Sequence, residues 1–275
     1  MNDGGTASGI CDTHMHVYGP PARFPAADLE PAAAFENYVM LRNALGISRT
    51  VYIQPSAYGR DHACLLDALT RDPAEARAIG IIGTEAGTSE LERLDVAGMR
   101  GVRFHDFITG CLPMEELEPV AQHIAPLGWH VVVQVAGTSL PDYERRLIGL
   151  PCPFVIDHMG LMPTGDGVDH PAFRSLLRLL RSSRCWVKLS APYEVAGDGS
   201  PIYVDAAKRV RAMVEVAPER LIWGSNWPHP RFRLGHKPDD AAMLASIRAW
   251  CGEEIWPAVA ARNAERLYGF GNAAH

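Results

Sequence analysis

The chain has 275 residues, of which 47% are hydrophobic and 21% charged, and its formal net charge is −6 at pH 7. This balance predicts a mildly acidic globular protein with a large core, and it excludes the basic patches of nucleic-acid binding proteins and the long apolar spans of membrane proteins. The first residues, MNDGGTASG, lack a secretion signal, and the six cysteines contain no C-x-x-C pair, so we expect a cytoplasmic protein with reduced thiols.

Eight short apolar runs alternate with longer segments of helical periodicity. Each run is continuously apolar rather than alternating, which is typical of strands that are buried on both faces. The predicted strands are residues 10–14, 50–54, 78–83, 100–105, 129–135, 153–158, 185–190 and 220–225.

Helical patterns follow each predicted strand, and several end at a glycine, the usual residue just past a helix. They cover residues 35–45, 61–70, 89–97, 114–127, 141–148, 172–182, 203–216 and 239–250, with an extra C-terminal helix at 253–268. Eight strand-helix units predict a single-domain (β/α)₈ TIM barrel over residues 10–275, after a disordered segment at 1–9. A doubly wound open sheet is the alternative, although no G-x-G-x-x-G follows the first strand.

Polar side chains collect at the carboxyl ends of the predicted strands, where barrel enzymes build their sites. The longest irregular stretches, 17–34, 159–170, 193–201 and 227–238, follow the same ends. We therefore expect one pocket formed by His14, His16, Gln54, Arg103, His105, Gln134, Asp157, His158, Lys188, Ser190, Asn226 and His229.

Three of these residues are histidines at strand ends. His14 and His16 form an H-x-H pair on one side of a strand, so both imidazoles can reach one metal ion or one substrate carbonyl oxygen. His158 ends the sixth strand in IDHMG, just before a glycine, and a core role explains it poorly. Cys11, by contrast, is predicted to be a packing residue.

Two cations are predicted to be buried. Arg103 in GVRFH requires a partner, which is either a substrate carboxylate held by bidentate hydrogen bonds or an acid inside the barrel. Lys188 in WVKLS leaves the same two alternatives open.

The segments DTHMHVYGP, GVRFH, IDHMG, WVKLS and ERLIWGSNWPHP occur in this order across nearly the whole chain. Together they resemble the amidohydrolase-related branch of the amidohydrolase superfamily, which includes 2-pyrone-4,6-dicarboxylate lactonase and D-galactarolactone isomerase. The resemblance implies a TIM barrel that acts on a lactone by acyl transfer, as a lactonase or a lactone isomerase. It implies a small-molecule partner, a lactone with a carboxylate, and leaves a homo-oligomer open.

The metal ligands of the superfamily are matched only in part. His14, His16 and His158 match, but Gln134 stands where metal-binding members have a histidine, and Asn226 replaces the usual aspartate. Without a carboxylate to balance the charge, we expect no metal cofactor. The alternative is one zinc ion on the three histidines, in a metal-dependent hydrolase or decarboxylase of the same superfamily.

Asn226 bears most directly on the reaction. An aspartate could take a proton from water, whereas asparagine only donates and accepts hydrogen bonds. Either a substrate hydroxyl attacks the lactone carbonyl, which gives isomerisation, or another base, His229 or Glu194, supports hydrolysis. One sequence does not distinguish a native asparagine from an engineered substitution of aspartate.

The resemblance also suggests a role for each residue. The three histidines would polarise the lactone carbonyl, Asn226 would position the attacking oxygen, and Arg103 would bind the carboxylate. Further substrate contacts are expected from Gln54, Gln134, Lys188, Tyr193 and His229. Leu161 follows DHMG where the pyrone lactonase would have an arginine, and Thr109 and Gly110 follow the fourth strand. We therefore do not expect that planar dicarboxylate as substrate, but a lactone with one carboxylate or a bulkier neutral ring. A catalytically inactive binding barrel is a further alternative, which the retained polar residues disfavour.

Overall fold

The computed structural model describes residues 9–25, 33–72, 76–162, 167–182, 184–195, 203–230 and 237–271. Within them, eight parallel strands pair in chain order in one sheet, which rules out the strand order of a doubly wound sheet. Disorder is predicted for residues 1–9, and residues 1–8 of that segment lie outside the described residues. The strands are β1 (Ile10–Met15), β2 (Ile47–Ile53), β3 (Ala76–Gly80), β4 (Met99–His105), β5 (His130–Gln134), β6 (Phe154–Ile156), β7 (Cys185–Leu189) and β8 (Leu221–Trp223).

Helices surround the strands as expected for a (β/α)₈ barrel. They are α1 (Phe35–Leu45), α2 (Ala63–Arg71), α3 (Thr88–Val96), α4 (Leu117–Ile124), α5 (Leu140–Ile148), α6 (Pro171–Arg181), α7 (Val204–Val216), α8 (Asp240–Cys251) and α9 (Asn263–Tyr268). The helix predicted at 114–127 is shorter because single 3₁₀ turns flank α4. The pattern predicted at 253–268 includes a π-helical turn, Ala258–Arg262, directly before α9.

The barrel is nearly closed, and the seam between β1 and β8 is joined by individual hydrogen bonds. The hydroxyl of Thr13 donates to the carbonyl of Trp223 at 2.7 Å, and the amide of Asn226 donates to the carbonyl of His14 at 2.8 Å. The Asp12 carboxylate accepts from the backbone amide and the hydroxyl of Ser225 at 2.9 and 2.6 Å. The last strand thus passes directly into a loop that is fixed to the first.

Small and branched side chains fill the barrel interior, including Val51, Ile79, Val132, Val155 and Ile222. At the amino ends of the strands, Tyr268 and Phe270 pack against this cluster, and the Arg77 guanidinium donates to the carbonyls of Tyr268 and Gly269. The amino end is therefore sealed, and the carboxyl ends form the open mouth. No helix in the described ranges has the length and apolar character that a bilayer span requires.

Candidate active site

A cavity of about 600 Å³ opens at the carboxyl ends of the strands. Among the described residues, its lining combines polar groups with an apolar wall. The polar groups lie at or just after the carboxyl ends of β1, β4, β5, β6 and β8, and the wall comes from the loop after β4. It includes His16, Tyr18, Arg103, Phe107, Ile108, Thr109, Gly110, Gln134, His158, Glu194 and Asn226. The predicted convergence of strand-end residues is therefore observed for His16, Arg103, Gln134, His158 and Asn226.

The three strand-end histidines form one cluster. His14 Nε2 lies 3.3 Å from His16 Nε2, and the rings of His14 and His158 have centroids 4.6 Å apart. All three side chains are buried. His158 adopts a left-handed backbone conformation, with φ of 50°, which is costly for a residue with a Cβ. This strained turn directs its imidazole into the cavity.

The hydrogen bonds fix which nitrogen of each imidazole carries its proton. Burial, followed by the nearby Arg103 guanidinium, lowers the pKa of His16 to about 3, so the ring is neutral at pH 7. Its Nδ1 faces the carbonyl oxygen of Ile53 at 2.9 Å and must be the donor, which leaves Nε2 as an acceptor. His14 Nε2 therefore donates to His16, and His14 Nδ1 accepts from the Lys188 ammonium 3.2 Å away.

This arrangement differs from the expectation that all three histidines donate to the substrate. His14 has no exposed surface, and the Nε2 lone pair of His16 accepts from His14 rather than facing a substrate. His158 lines the cavity, and its Nδ1 contacts the hydroxyl of Ser190 at 2.8 Å. Because a serine hydroxyl can donate to Nδ1, the Nε2–H of His158 is the imidazole donor best placed for a substrate oxygen.

Lys188 occupies a buried ion pair. Its Nζ lies 3.0 Å from Asp157 Oδ1, and neither side chain is exposed. Burial alone would raise the pKa of Asp157, but the Lys188 ammonium outweighs burial and holds that pKa well below its usual range. The structure thus gives Lys188 the internal acid that was one of its two predicted partners, and its role as a substrate contact stays a prediction.

Arg103 has no such acid among the described residues. Its guanidinium donates to the carbonyl of Gln54 and to Gln134 Oε1, both at 3.1 Å, and its Nε has no partner among those residues. A buried guanidinium held only by neutral acceptors keeps an unbalanced positive charge at the cavity wall. This placement suits an anionic substrate group.

Gln54 lies deeper than its predicted role as a substrate contact requires. Its Nε2 donates to the carbonyls of Gly59 and Asp61 at 3.0 and 2.7 Å, which fixes the loop after β2. Its Oε1 has no partner among the described residues and is buried. The observed contacts are therefore those of a residue that shapes the wall below Arg103.

Asn226 belongs to a chain of four polar groups. Its Nδ2 donates to the Tyr193 hydroxyl at 2.7 Å, Tyr193 contacts His229 Nδ1 at 2.9 Å, and His229 Nε2 contacts Asp240 Oδ1 at 3.1 Å. Only Asn226 of these four is among the described residues that line the cavity. Asp240 is not among the residues predicted from the sequence, because it lies at the start of α8 and far along the chain from any strand end.

The described residues fit a divalent metal poorly, although part of the geometry would allow one. A spacing of 3.3 Å between two Nε2 atoms is compatible with two ligands of one tetrahedral ion. His14, Asp157 and His158 are close enough to form a ligand group. However, the Asp157 carboxylate already balances Lys188, so a divalent cation there would face a buried ammonium, and that group of described residues contains no second carboxylate.

Comparison with known proteins gives one family and a consistent group of relatives. The family model described as amidohydrolase matches residues 11–270. The chain is 34% identical to a 2-pyrone-4,6-dicarboxylate hydrolase of Comamonas testosteroni, over 87% of this chain and 83% of that protein. It is 33% identical to a 4-sulfomuconolactone hydrolase of Hydrogenophaga intermedia, with 95% and 89% covered.

An isomerase is equally similar. The chain is 34% identical to a D-galactarolactone isomerase of Agrobacterium fabrum, over 90% of this chain and 86% of that protein. A solved apo structure from Agrobacterium tumefaciens superposes with a TM-score of 0.87 at 32% identity and covers 97% of both chains. Hydrolases and an isomerase thus lie at the same distance, so the residues of the cavity must distinguish the two reactions.

Proposed function

Because the chain belongs to the amidohydrolase family, we propose that it is an enzyme that acts on a lactone by acyl transfer without a metal cofactor. Several relatives act on lactones, and the cavity offers the two groups that a lactone acid requires. The Nε2–H of His158 can stabilise the oxyanion that forms on the carbonyl, and Arg103 can hold a carboxylate. We also propose a cytoplasmic location, since all six cysteines are free.

We propose isomerisation rather than hydrolysis as the principal reaction. The observation that carries this is Asn226, which lies in the cavity at the end of β8 and is hydrogen-bonded to Tyr193 through its Nδ2. An amide accepts no proton at neutral pH, so Asn226 can orient an attacking oxygen but cannot activate water. A hydroxyl of the substrate, already close to the carbonyl, has a large entropic advantage over water.

The other groups at the cavity support this choice. The Nε2 lone pair of His16 accepts from His14, and burial lowers the pKa of His16 to about 3, so His16 is a weak base. Glu194 is exposed at the rim and is the carboxylate that could serve hydrolysis instead. In isomerisation the attacking hydroxyl loses a proton, and the ring oxygen that leaves the carbonyl carbon gains one. The reaction therefore consumes no net base.

Substrate charge follows from the same lining. Arg103 is the cation among the described lining residues, and Phe107 and Ile108 add apolar side chains to the same lining. A planar dicarboxylate would leave one carboxylate without a cation. We therefore propose a lactone with one carboxylate and free hydroxyl groups, as in sugar-acid lactones.

The test is isotopic. The purified enzyme is incubated with a panel of sugar-acid lactones in H₂¹⁸O, and products are followed by NMR and mass spectrometry. Isomerisation yields a lactone of different ring size without ¹⁸O, whereas hydrolysis yields the free acid with one ¹⁸O atom. The variant Asn226→Asp regains a base and should shift the products toward the labelled acid. Predominant ¹⁸O incorporation by the unmodified enzyme would contradict the isomerase assignment.

The metal-dependent alternative has a separate test. Elemental analysis of the purified enzyme should give less than stoichiometric zinc, and chelation should leave turnover unchanged. Stoichiometric metal together with chelator-sensitive turnover would instead support a metal-dependent hydrolase or decarboxylase.

A further inference from the structure

The chain of hydrogen bonds from Asp240 to Asn226 has a determined direction. A carboxylate only accepts, so His229 Nε2, 3.1 Å from Asp240, carries the proton of a neutral imidazole. Its Nδ1 is then an acceptor, and the Tyr193 hydroxyl donates to it across 2.9 Å. The Tyr193 oxygen is left to accept, so the amide group facing it at 2.7 Å must be the NH₂ of Asn226. Every group along the chain is thereby assigned by its neighbour.

The consequence lies at the end of the chain, in the cavity. Asn226 lines the cavity, and its Nδ2 is held by Tyr193, so Oδ1 is the end of the amide that is left for a substrate; no donor among the described residues contacts that oxygen. A hydrogen-bond acceptor at this position is what an attacking hydroxyl needs in order to point a lone pair at the carbonyl carbon. The reverse orientation would offer two donors and would bind the hydroxyl in the wrong sense.

We propose that Asp240, His229 and Tyr193 are positioning residues that hold the amide oxygen of Asn226 toward the substrate, and so set the acceptor for the attacking hydroxyl. This inference rests on the proposed lactone chemistry. It assigns a role to Asp240, a helix residue, and it places Tyr193 and His229 behind the substrate site rather than in contact with the substrate.

The backbone leaves this orientation to the side chains. Asn226 and His229 both have positive φ, 61° and 59°, and the amide of His229 donates to the carbonyl of Asn226 at 2.7 Å. These bonds fix where the side chains begin but not how the amide group of Asn226 is turned. Because its O and NH₂ ends have nearly the same shape, packing distinguishes them weakly, and the hydrogen-bond chain decides.

The experiment compares Asp240→Asn with the matched control Asp239→Asn. Asp239 precedes Asp240 and caps α8 by accepting from the amide of Ala242 at 3.0 Å, and asparagine caps a helix about as well. Both variants remove one charge from the same helix start. In Asp240→Asn the new side-chain amide can donate to His229 Nε2 and admit the reversed chain, so we expect kcat to fall about tenfold with KM within about twofold. We expect the control to keep its kcat.

A spectroscopic measurement tests the chain without any substrate. The ¹⁵N shifts of the His229 ring, assigned with a His229→Gln variant, should show the Nε2–H tautomer in the unmodified protein and in Asp239→Asn. Asp240→Asn should show the Nδ1–H tautomer or a mixture. Tyr193→Phe should keep the Nε2–H tautomer and lower kcat to a similar extent.

Two results would overturn the inference. One is an unchanged His229 tautomer in Asp240→Asn, and the other is a kcat for Asp240→Asn equal to that of Asp239→Asn. Failure of the proposed function is recognised separately, because the unmodified enzyme would then turn over no lactone while the tautomer pattern could still hold.

Discussion

The buried pair of Lys188 and Asp157 allows a quantitative stability prediction. Replacement of Lys188 by methionine preserves most of the side-chain volume but removes the ammonium 3.0 Å from Asp157 Oδ1. Both side chains are 0% exposed, so water cannot replace the lost partner. Loss of one member of a buried pair costs about 3–5 kcal/mol, and we expect Lys188→Met to lower the free energy of unfolding by that amount at pH 7.5.

The pH dependence gives this prediction its sign. In the unmodified protein the folded pKa of Asp157 is depressed, so its ionisation adds stability above the unfolded value of about 4 and is lost as pH falls below it. Without Lys188, burial dominates and raises the pKa of Asp157, which then favours the protonated acid. The loss of unfolding free energy in Lys188→Met, relative to the unmodified protein, should therefore become smaller as pH is lowered from 8 to 5.

The assay is urea unfolding followed by tryptophan fluorescence across this pH range. The double variant Lys188→Met, Asp157→Asn serves as the control, because it removes both charges and should recover about half or more of the loss. A Lys188→Met deficit below about 1 kcal/mol at pH 7.5, or a double variant as unstable as the single one, would refute the description of a dry, mutually dependent pair.

The other predictions concern single residues. Arg103→Met should raise KM for carboxylate-bearing lactones about 10- to 100-fold, because charge-assisted hydrogen bonds are lost, and should leave KM for a neutral lactone unchanged. Equal effects on both lactones would contradict a carboxylate site. His158→Gln should lower kcat about 10²- to 10³-fold with little change in KM, as for loss of an oxyanion donor, and steady-state kinetics will separate this from a binding role. Burial raises the pKa of Asp12 from 3.8 to about 6, so the folded chain binds this proton first and gains about 3 kcal/mol as pH falls from 6 toward 4. Urea unfolding should show this gain relative to Asp12→Asn, and a pH-independent difference would count against it.

The barrel could be predicted because its signals are local and repeated. Each strand is a short apolar run and each helix has its own period, so eight units in chain order leave few arrangements. Strand ends were less accurate, as at β8, which stops at Trp223 because the following residues bond to the seam instead of continuing the sheet. Seam contacts such as that of Asp12 with Ser225 join residues 213 positions apart, and no local pattern reports them.

Within the site, residue positions could be predicted but partners could not. Period two and strand order bring His16, Arg103 and His158 to one mouth whatever they contact there. Whether a buried cation meets an internal acid or a substrate depends on distances across the barrel, which is why Arg103 and Lys188 had the same two alternatives and the structure separates them.

Asp240 shows where a sequence signal was present but had a simpler explanation. Two acids, Asp239 and Asp240, stand at the start of α8, and acids there are ordinarily explained by capping and by the helix dipole. A cap needs one side chain, and Asp239 provides it by binding the amide of Ala242. The second acid, Asp240, instead contacts Nε2 of His229 in the loop that follows β8, at 3.1 Å. Two acids can therefore have different roles at the start of a helix that follows a histidine-bearing active-site loop. One caps the helix and the other positions the histidine, and they need not be two equivalent charges that interact with the helix dipole.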